Sequence, residues 1–199
     1  RKITDFVDVL DEKEMRKNIE KYIQYFKNKS IPIEIAFYVG SFTGIHKNLM
    51  IRYLEIAKYY IDRGIINSIR ISTRPDYINK EILEVLKQYN VNTIELGVQS
   101  MTKCTLDLNN RGHNVDCVYE SSSLIKKYDI KLGLQMMLGL YGDTFETVLN
   151  TAFKLCKIKP NFVRIYPTLT IKDTELERLY YLKKYKPMSL EDSIYLCKY

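Results

Sequence analysis

The sequence has no two cysteines close enough to form a CxxC or CxxxC pair; Cys104, Cys117, Cys156 and Cys197 each stand alone. That argues against a thiolate metal site within the chain. It leaves four reduced thiols, mostly core filler, in a reducing compartment. There are only two histidines, His46 and His113. No Ser-His-Asp arrangement can be assembled around either, so triad hydrolysis is set aside. No apolar run approaches the roughly 20 residues of a membrane helix. Arg1 and Lys2 lead into acidic and polar residues rather than the apolar stretch of a signal peptide. The expectation is a cytoplasmic protein that does not enter a membrane.

What is present suits one folded domain. The 199 residues are 46% hydrophobic and 28% charged, which places the chain with globular proteins and not with disordered ones. The length suffices for a full core, so a single domain over 1–199 is expected. The net charge of +7, from 31 basic against 24 acidic residues, favours anionic partners, nucleic acid among them. The bases are spread along the chain, with small clusters such as Lys183, Lys184 and Lys186. A solvated lysine-rich surface is the simpler reading of that spread. The chain opens on Arg1 and not on Met, so a fragment is expected.

Apolar periodicity alternates along the sequence. Met15, Ile19, Tyr22, Ile23 and Phe26 lie at helical spacing, followed by the strand-like "IEIAFYVG" ending at Gly40. Met50, Tyr53, Leu54, Ala57, Tyr60 and Ile61 mark a second helix stopped by Gly64. "SIRIST", "NTIELGV", "KLGLQMML" and "FVRIYP" read as further strands. Between them fall helices opened by Asn79, carried by Val118, Leu124 and Ile125, and opened by Asp143 and Glu146 at capping-box spacing. Ser189 and Asp192 begin a last short helix. Helix–strand alternation of this kind implies βαβ units and a parallel sheet with helices outside. Five strands cannot close an eight-stranded barrel, so an open or partial barrel is expected.

In parallel α/β proteins the ligand site lies beyond the carboxyl ends of the strands. Those ends carry Gly40, Ser41, Thr43 and Gly44; then Ser72, Thr73, Arg74 and Asp76; then Gln99 and Ser100; then Gln135 with the turn Gly139–Thr144; then Tyr166 and Thr168. Each residue has a plainer reading. The glycines suit turns, Arg74 and Asp76 can pair around Pro75, and Gln135 needs only some hydrogen-bond partner. Taken together they describe a mouth built for a small polar ligand bearing a carboxylate or hydroxyls. Gly40 and Ser41 offer close backbone approach. Arg111 offers a bidentate fork, and Gln99 and Gln135 offer paired donors and acceptors. His113 reads as a helix-start residue, with no catalytic part.

The segments "GSFTG", "STRPDYI", "IELGVQS", "NNRGHNVD", "LGLQMMLGLYGDT" and "VRIYPTLTIKDTELERLY" follow one another in an order that resembles the radical S-adenosylmethionine (SAM) enzymes, in particular the Elongator catalytic-subunit type. The resemblance runs from about the first helix to the end of the chain. It implies an α/β fold: a partial TIM-type (β/α)6 radical SAM barrel, a parallel sheet with outer helices. It also implies a 4Fe-4S cluster held by a CxxxCxxC loop. That loop is not in this sequence, so the family's first strand and cluster ligands are expected upstream of Arg1. The fragment by itself is then expected to be inactive.

The resemblance also implies roles. Gly40 and Ser41, preceded by Val39 where a second glycine is usual, occupy the segment that receives the SAM amino group. Gln99 matches the glutamine of "GVQ", and Arg111 the arginine that holds the SAM carboxylate. Gln135 lies near the ribose and Tyr166 near the adenine. Ser72 stands where relatives carry glutamate, and Tyr141 where they carry proline. The chemistry implied is reductive cleavage of SAM to a 5′-deoxyadenosyl radical, with a one-electron reductant and tRNA as partners and a wobble uridine as target. Two other readings compete: an oxygen-independent coproporphyrinogen oxidase type, against which "NRGH" and "IYPTL" argue, and a tRNA-binding module without radical chemistry.

Overall fold

The computed structural model describes residues 11–26, 31–38 and 40–198. Arg1, Lys2 and Val39 lie outside the described residues. Helix α1 spans Glu12–Ile23 and turns Met15 into the core, while Tyr22 is largely exposed. Phe26, expected on this helix, lies beyond its end and is exposed. The chain then alternates as the sequence periodicity predicts. The strands are β1 (Glu34–Phe37), β2 (Ser68–Thr73), β3 (Val91–Gln99), β4 (Lys131–Leu138) and β5 (Phe162–Pro167). The helices between and after them are α2 (Lys47–Asp62), α3 (Lys80–Gln88), α4 (Lys103–Leu108), α5 (Val115–Lys127), α6 (Phe145–Ile158), α7 (Glu175–Tyr181) and α8 (Leu190–Leu196). Strand β1 is shorter than "IEIAFYVG", because the chain leaves the ladder after Phe37.

The strands pair in sequence order, every neighbour parallel. Alternation along each strand gives the sheet two faces. Ile69 and Ile71, Ile94, Leu96 and Val98, and Leu132, Leu134, Met136 and Leu138 are buried and form the core with the helices. Each such side chain contributes roughly 1.5–3 kcal/mol by leaving water. The other face carries Arg70, Glu95, Gly97, Gln135, Met137, Arg164 and Tyr166.

That inner face is curled. In a flat sheet β1 and β5 would stand about 19 Å apart, four strand spacings of ~4.8 Å. Instead Arg164 on β5 donates to the Tyr38 hydroxyl just past β1 at 2.8 Å, a contact that only a half-barrel allows. Glu95 is the hub of this crossing. Its carboxylate accepts from Arg70 (2.8 Å), Arg164 (2.9 Å) and Tyr38 (2.8 Å). Gly133 makes room for it, since a Cβ there would overlap the Phe162 ring and lie 3.0 Å from Glu95 Cγ. Partial (β/α) barrel is therefore the architecture.

Two local features differ from the sequence expectation. Helix α6 is capped by a reciprocal Thr144–Thr147 pair, not by Asp143 and Glu146. Asp143 instead accepts from the Leu140 N–H and the Thr105 and Thr147 hydroxyls, bracing the turn after β4. The cysteines are not core filler: Cys104, Cys156 and Cys197 are exposed and Cys117 is partly so, all as free thiols.

Candidate functional site at the carboxyl ends of the strands

The end of β3 shapes the site. Gln99 adopts φ +69°, the left-handed region, and the ladder to β4 slips between Gly97 and Gln99. A non-glycine residue there costs on the order of 1–3 kcal/mol. Two interactions hold it. The Gln99 carboxamide folds back across Gly97, where an added Cβ would come within 2.9 Å of Gln99 Nε2. Its oxygen accepts from Gln135 Nε2 on β4 at 3.2 Å. Behind the bulge, His113 Nε2 lies 3.1 Å from the Val98 carbonyl, so Nε2 carries the proton and donates. Nδ1 is then the bare nitrogen, buried without a partner among the described residues. Burial pushes the His113 pKa down and keeps the ring neutral.

The loop after α4 brings in Arg111. Asn109 fixes this loop by donating to the Thr105 carbonyl at 2.7 Å and to the Tyr141 carbonyl at 2.8 Å. The Arg111 N–H donates to Leu106 at 3.1 Å. The guanidinium then reaches the inner face, where Nη2 meets the Met137 thioether at 3.1 Å and Nε is buried without a partner. Among the described residues no carboxylate pairs with it. Burial, and secondarily the charge of Arg74, lower its pKa. An anion at this position would relieve both effects.

Arg74 is a different case. It is bidentate to Asp76 at 2.9 and 2.6 Å and lies over the Tyr77 ring at 4.8 Å, so the expected pairing around Pro75 is what the structure contains. The Arg111 loop passes directly over it. At Gly112, with φ +74°, a Cβ would stand 2.6 Å from Arg74 Nη2.

The remaining expected residues line the same mouth at greater separation. Gly40 has φ +50° with open space around its Cβ direction, and the Ser41 carbonyl accepts from Gly44 at 2.8 Å. Thr43 and Thr73 share a hydrogen bond of 2.6 Å, which seats the post-β1 loop on the end of β2. On the far side, Tyr166 is the register partner of Met137, and the Arg164 guanidinium lies 5.0 Å from its ring centroid. So Gln99 and Gln135 touch, Arg111 and Tyr166 converge on Met137, and Gly40 with Ser41 sits beyond β2. Sequence reasoning missed Gly97 and the bracing role of His113. The glycine in "GVQ" was a usable signal for the first. Among the described residues no group of three or more His, Cys, Asp or Glu could hold a metal ion.

Comparison with known proteins agrees with this fold. The radical SAM superfamily model matches residues 11–155, and the radical SAM C-terminal domain model matches 160–199. The tRNA uridine(34) acetyltransferase of Methanocaldococcus jannaschii is 31% identical over 132 residues, 65% of this chain and 24% of that protein. Elongator complex protein 3 of Homo sapiens is 35% identical over 133 residues, 64% of this chain and 24% of that protein. The structure of Methanocaldococcus infernus Elp3 with an N-terminal deletion superposes with a TM-score of 0.79 at 24% identity, covering 92% of this chain and 48% of that one. The chain thus spans between a quarter and a half of the length of these relatives.

Proposed function

The chain belongs to the radical SAM superfamily, and from that premise we propose that it is the SAM-binding core of an Elongator-type enzyme that modifies a tRNA uridine. Proteins of this superfamily use SAM together with a 4Fe-4S cluster. When bound, these groups supply a 5′-deoxyadenosyl radical by one-electron reduction of SAM, with the electron drawn from an external reductant. The described residues include no set of ligands for the cluster. For SAM the residues do fit. The supporting observation is Arg111: a half-buried guanidinium with a cationic neighbour, a thioether contact and a buried, unpartnered Nε suits a carboxylate.

Around that anchor the other residues take complementary parts. The Gln99–Gln135 amides, bonded to each other, can turn a donor and an acceptor toward ribose hydroxyls. The left-handed turn at Gly40 leaves its backbone and the Ser41 segment open to an ammonium group. Tyr166 offers the adenine a flat wall beside Met137. The protein's work is to orient the ligand and exclude water. The tRNA target is inferred from the two relatives named for uridine(34) acetylation and Elongator.

The test uses the gene product that carries this chain, reconstituted anaerobically with iron and sulfide, reduced, and given SAM. Formation of 5′-deoxyadenosine is expected. A cluster seen by EPR but no 5′-deoxyadenosine, with tRNA and reductant both present, would overturn the reading. The coproporphyrinogen oxidase type is separated by substrate, since tRNA and not a porphyrinogen should raise turnover.

A further inference from the structure

The segment that follows α7 is fastened to the mouth of the half-barrel by one buried aromatic residue. Tyr185 is 7% exposed, and its hydroxyl donates to the carbonyl of Gly139, immediately past the end of β4, at 2.8 Å. Its ring meets Tyr141 edge-on at 6.3 Å. Met188 packs so closely over Gly139 that a Cβ there would fall 2.9 Å from Met188 Cβ. The turn between α7 and this anchor is closed by backbone bonds from Lys184 and Tyr185 to the Leu179 carbonyl. Lys183 adopts φ +58° within it, a conformation glycine would take at lower cost. The chain thus carries a lysine side chain where a bare turn would be easier.

Around the anchor the exposed side chains are of two kinds. Lys183, Lys184 and Lys186 are exposed and have no ion-pair partner among the described residues. The acids of α7 are engaged elsewhere: Glu175 with Arg178, and Glu177 with the Asp173 N–H. Beside the lysines, Tyr181 is 73% exposed and Tyr180 is 48% exposed, with their rings in edge contact at 5.6 Å. Cations alone would suit any polyanion. Cations interleaved with open aromatic rings suit single-stranded nucleic acid, whose phosphates and unstacked bases need both.

We propose that Tyr180, Tyr181, Lys183, Lys184 and Lys186 form a docking rim for single-stranded RNA, the loop of a tRNA, beside the mouth in which SAM is placed. The proposal rests on the tRNA reading above and specifies where that RNA is held. Phosphates lie against the three lysines, and an unpaired base stacks on Tyr181. Tyr185 fixes the rim to the end of β4, the strand that also carries Gln135, so the RNA is held at a fixed offset from the site.

The test is fluorescence anisotropy of a labelled anticodon stem-loop on the reconstituted full-length protein. The triple variant Lys183→Ala/Lys184→Ala/Lys186→Ala should weaken binding at least tenfold. It should also flatten the log–log salt dependence by about 2, three contacts at ~0.7 each. Tyr181→Ala should weaken binding several-fold while Tyr181→Phe retains it, because stacking needs the ring and not the hydroxyl. SAM binding should be unchanged in all three variants. Unchanged affinity and salt slope in the triple variant, with wild-type protein binding the RNA, would overturn the rim and leave the tRNA reading standing. Failure of the wild type to bind any tRNA would overturn both. Equal competition by heparin and by the stem-loop would reduce the rim to a general polyanion surface and overturn the stacking role.

Discussion

Arg111 is the residue assigned to the SAM carboxylate. Removing a charge-assisted bidentate bond should cost about 1.5–3 kcal/mol, so Arg111→Ala should weaken SAM binding by roughly tenfold to a hundredfold. Arg111→Lys should recover part of this, since the charge remains and the fork does not. Equilibrium dialysis with the cluster-loaded protein measures it, and equal affinity in wild type and Arg111→Ala would remove the residue from the site. His113 makes a separate prediction. Its folded pKa lies below the ordinary value of 6.5, chiefly through burial. The unfolded chain therefore takes up the proton first, and stability declines as pH falls below about 6.5. Urea unfolding between pH 7.5 and 5 should show this decline in wild type and lose it in His113→Gln. Arg111 was legible in the sequence as a polar residue near a strand end. His113 was not, because its partner is a backbone carbonyl 15 positions away that has no side-chain signature.

At the scale of elements, the bulge at the end of β3 makes a sharper demand than the strand pattern suggests. Gly97 has no left-handed φ, so Gly97→Ala brings no backbone strain, and the lower unfolded-chain entropy offsets the lost Gln99–Gln135 bond to within about 1 kcal/mol. The new methyl would nonetheless lie 2.9 Å from Gln99 Nε2, the far end of a flexible side chain. That amide should swing away and lose Gln135. SAM affinity should fall while the melting temperature holds, and a parallel fall in both would mean that Gly97 serves packing alone. The sequence periodicity placed the long elements because each buries an apolar face. It missed α4 and α7, of 6 and 7 residues, which are too short to display one. It assigned the α6 cap to Asp143 because both Asp143 and Thr144 satisfy cap chemistry. The structure separates them by the backbone bond each accepts: Thr144 takes the N–H of Thr147, and Asp143 takes that of Leu140.

Across the whole molecule, Glu95 draws together Tyr38, Arg70 and Arg164 from three other strands or their ends. Strand alternation in the sequence predicted a parallel sheet and a partial barrel. It did not predict this hub, since "IELGV" reads as a buried strand and Arg164 lies 69 residues further on. Burial works against the Glu95 charge, but hydrogen bonds from Arg70, Tyr38 and Arg164 outweigh it and hold the carboxyl below the usual glutamate range. The linked stability is therefore fully present above the unfolded value of about 4.3 and is lost as pH falls through the folded value. Glu95→Gln keeps the shape, removes the charge and leaves Arg164 without a carboxylate, while Arg70 keeps its pair with Glu34 at 2.6 Å. Breaking a buried pair typically costs 3–5 kcal/mol. The Arg70 and Arg164 side chains remain 25% and 36% exposed, and water there lowers the expected cost to about 2–3 kcal/mol at pH 7. Denaturant unfolding at pH 7 and pH 3.5 distinguishes the cases. Wild type should converge toward the variant as the carboxyl protonates, because the variant has already lost what acid removes. If wild type and variant were equally stable at pH 7, Glu95 would be acting by shape alone, and the curl of the half-barrel would have to be held by the turns and helices.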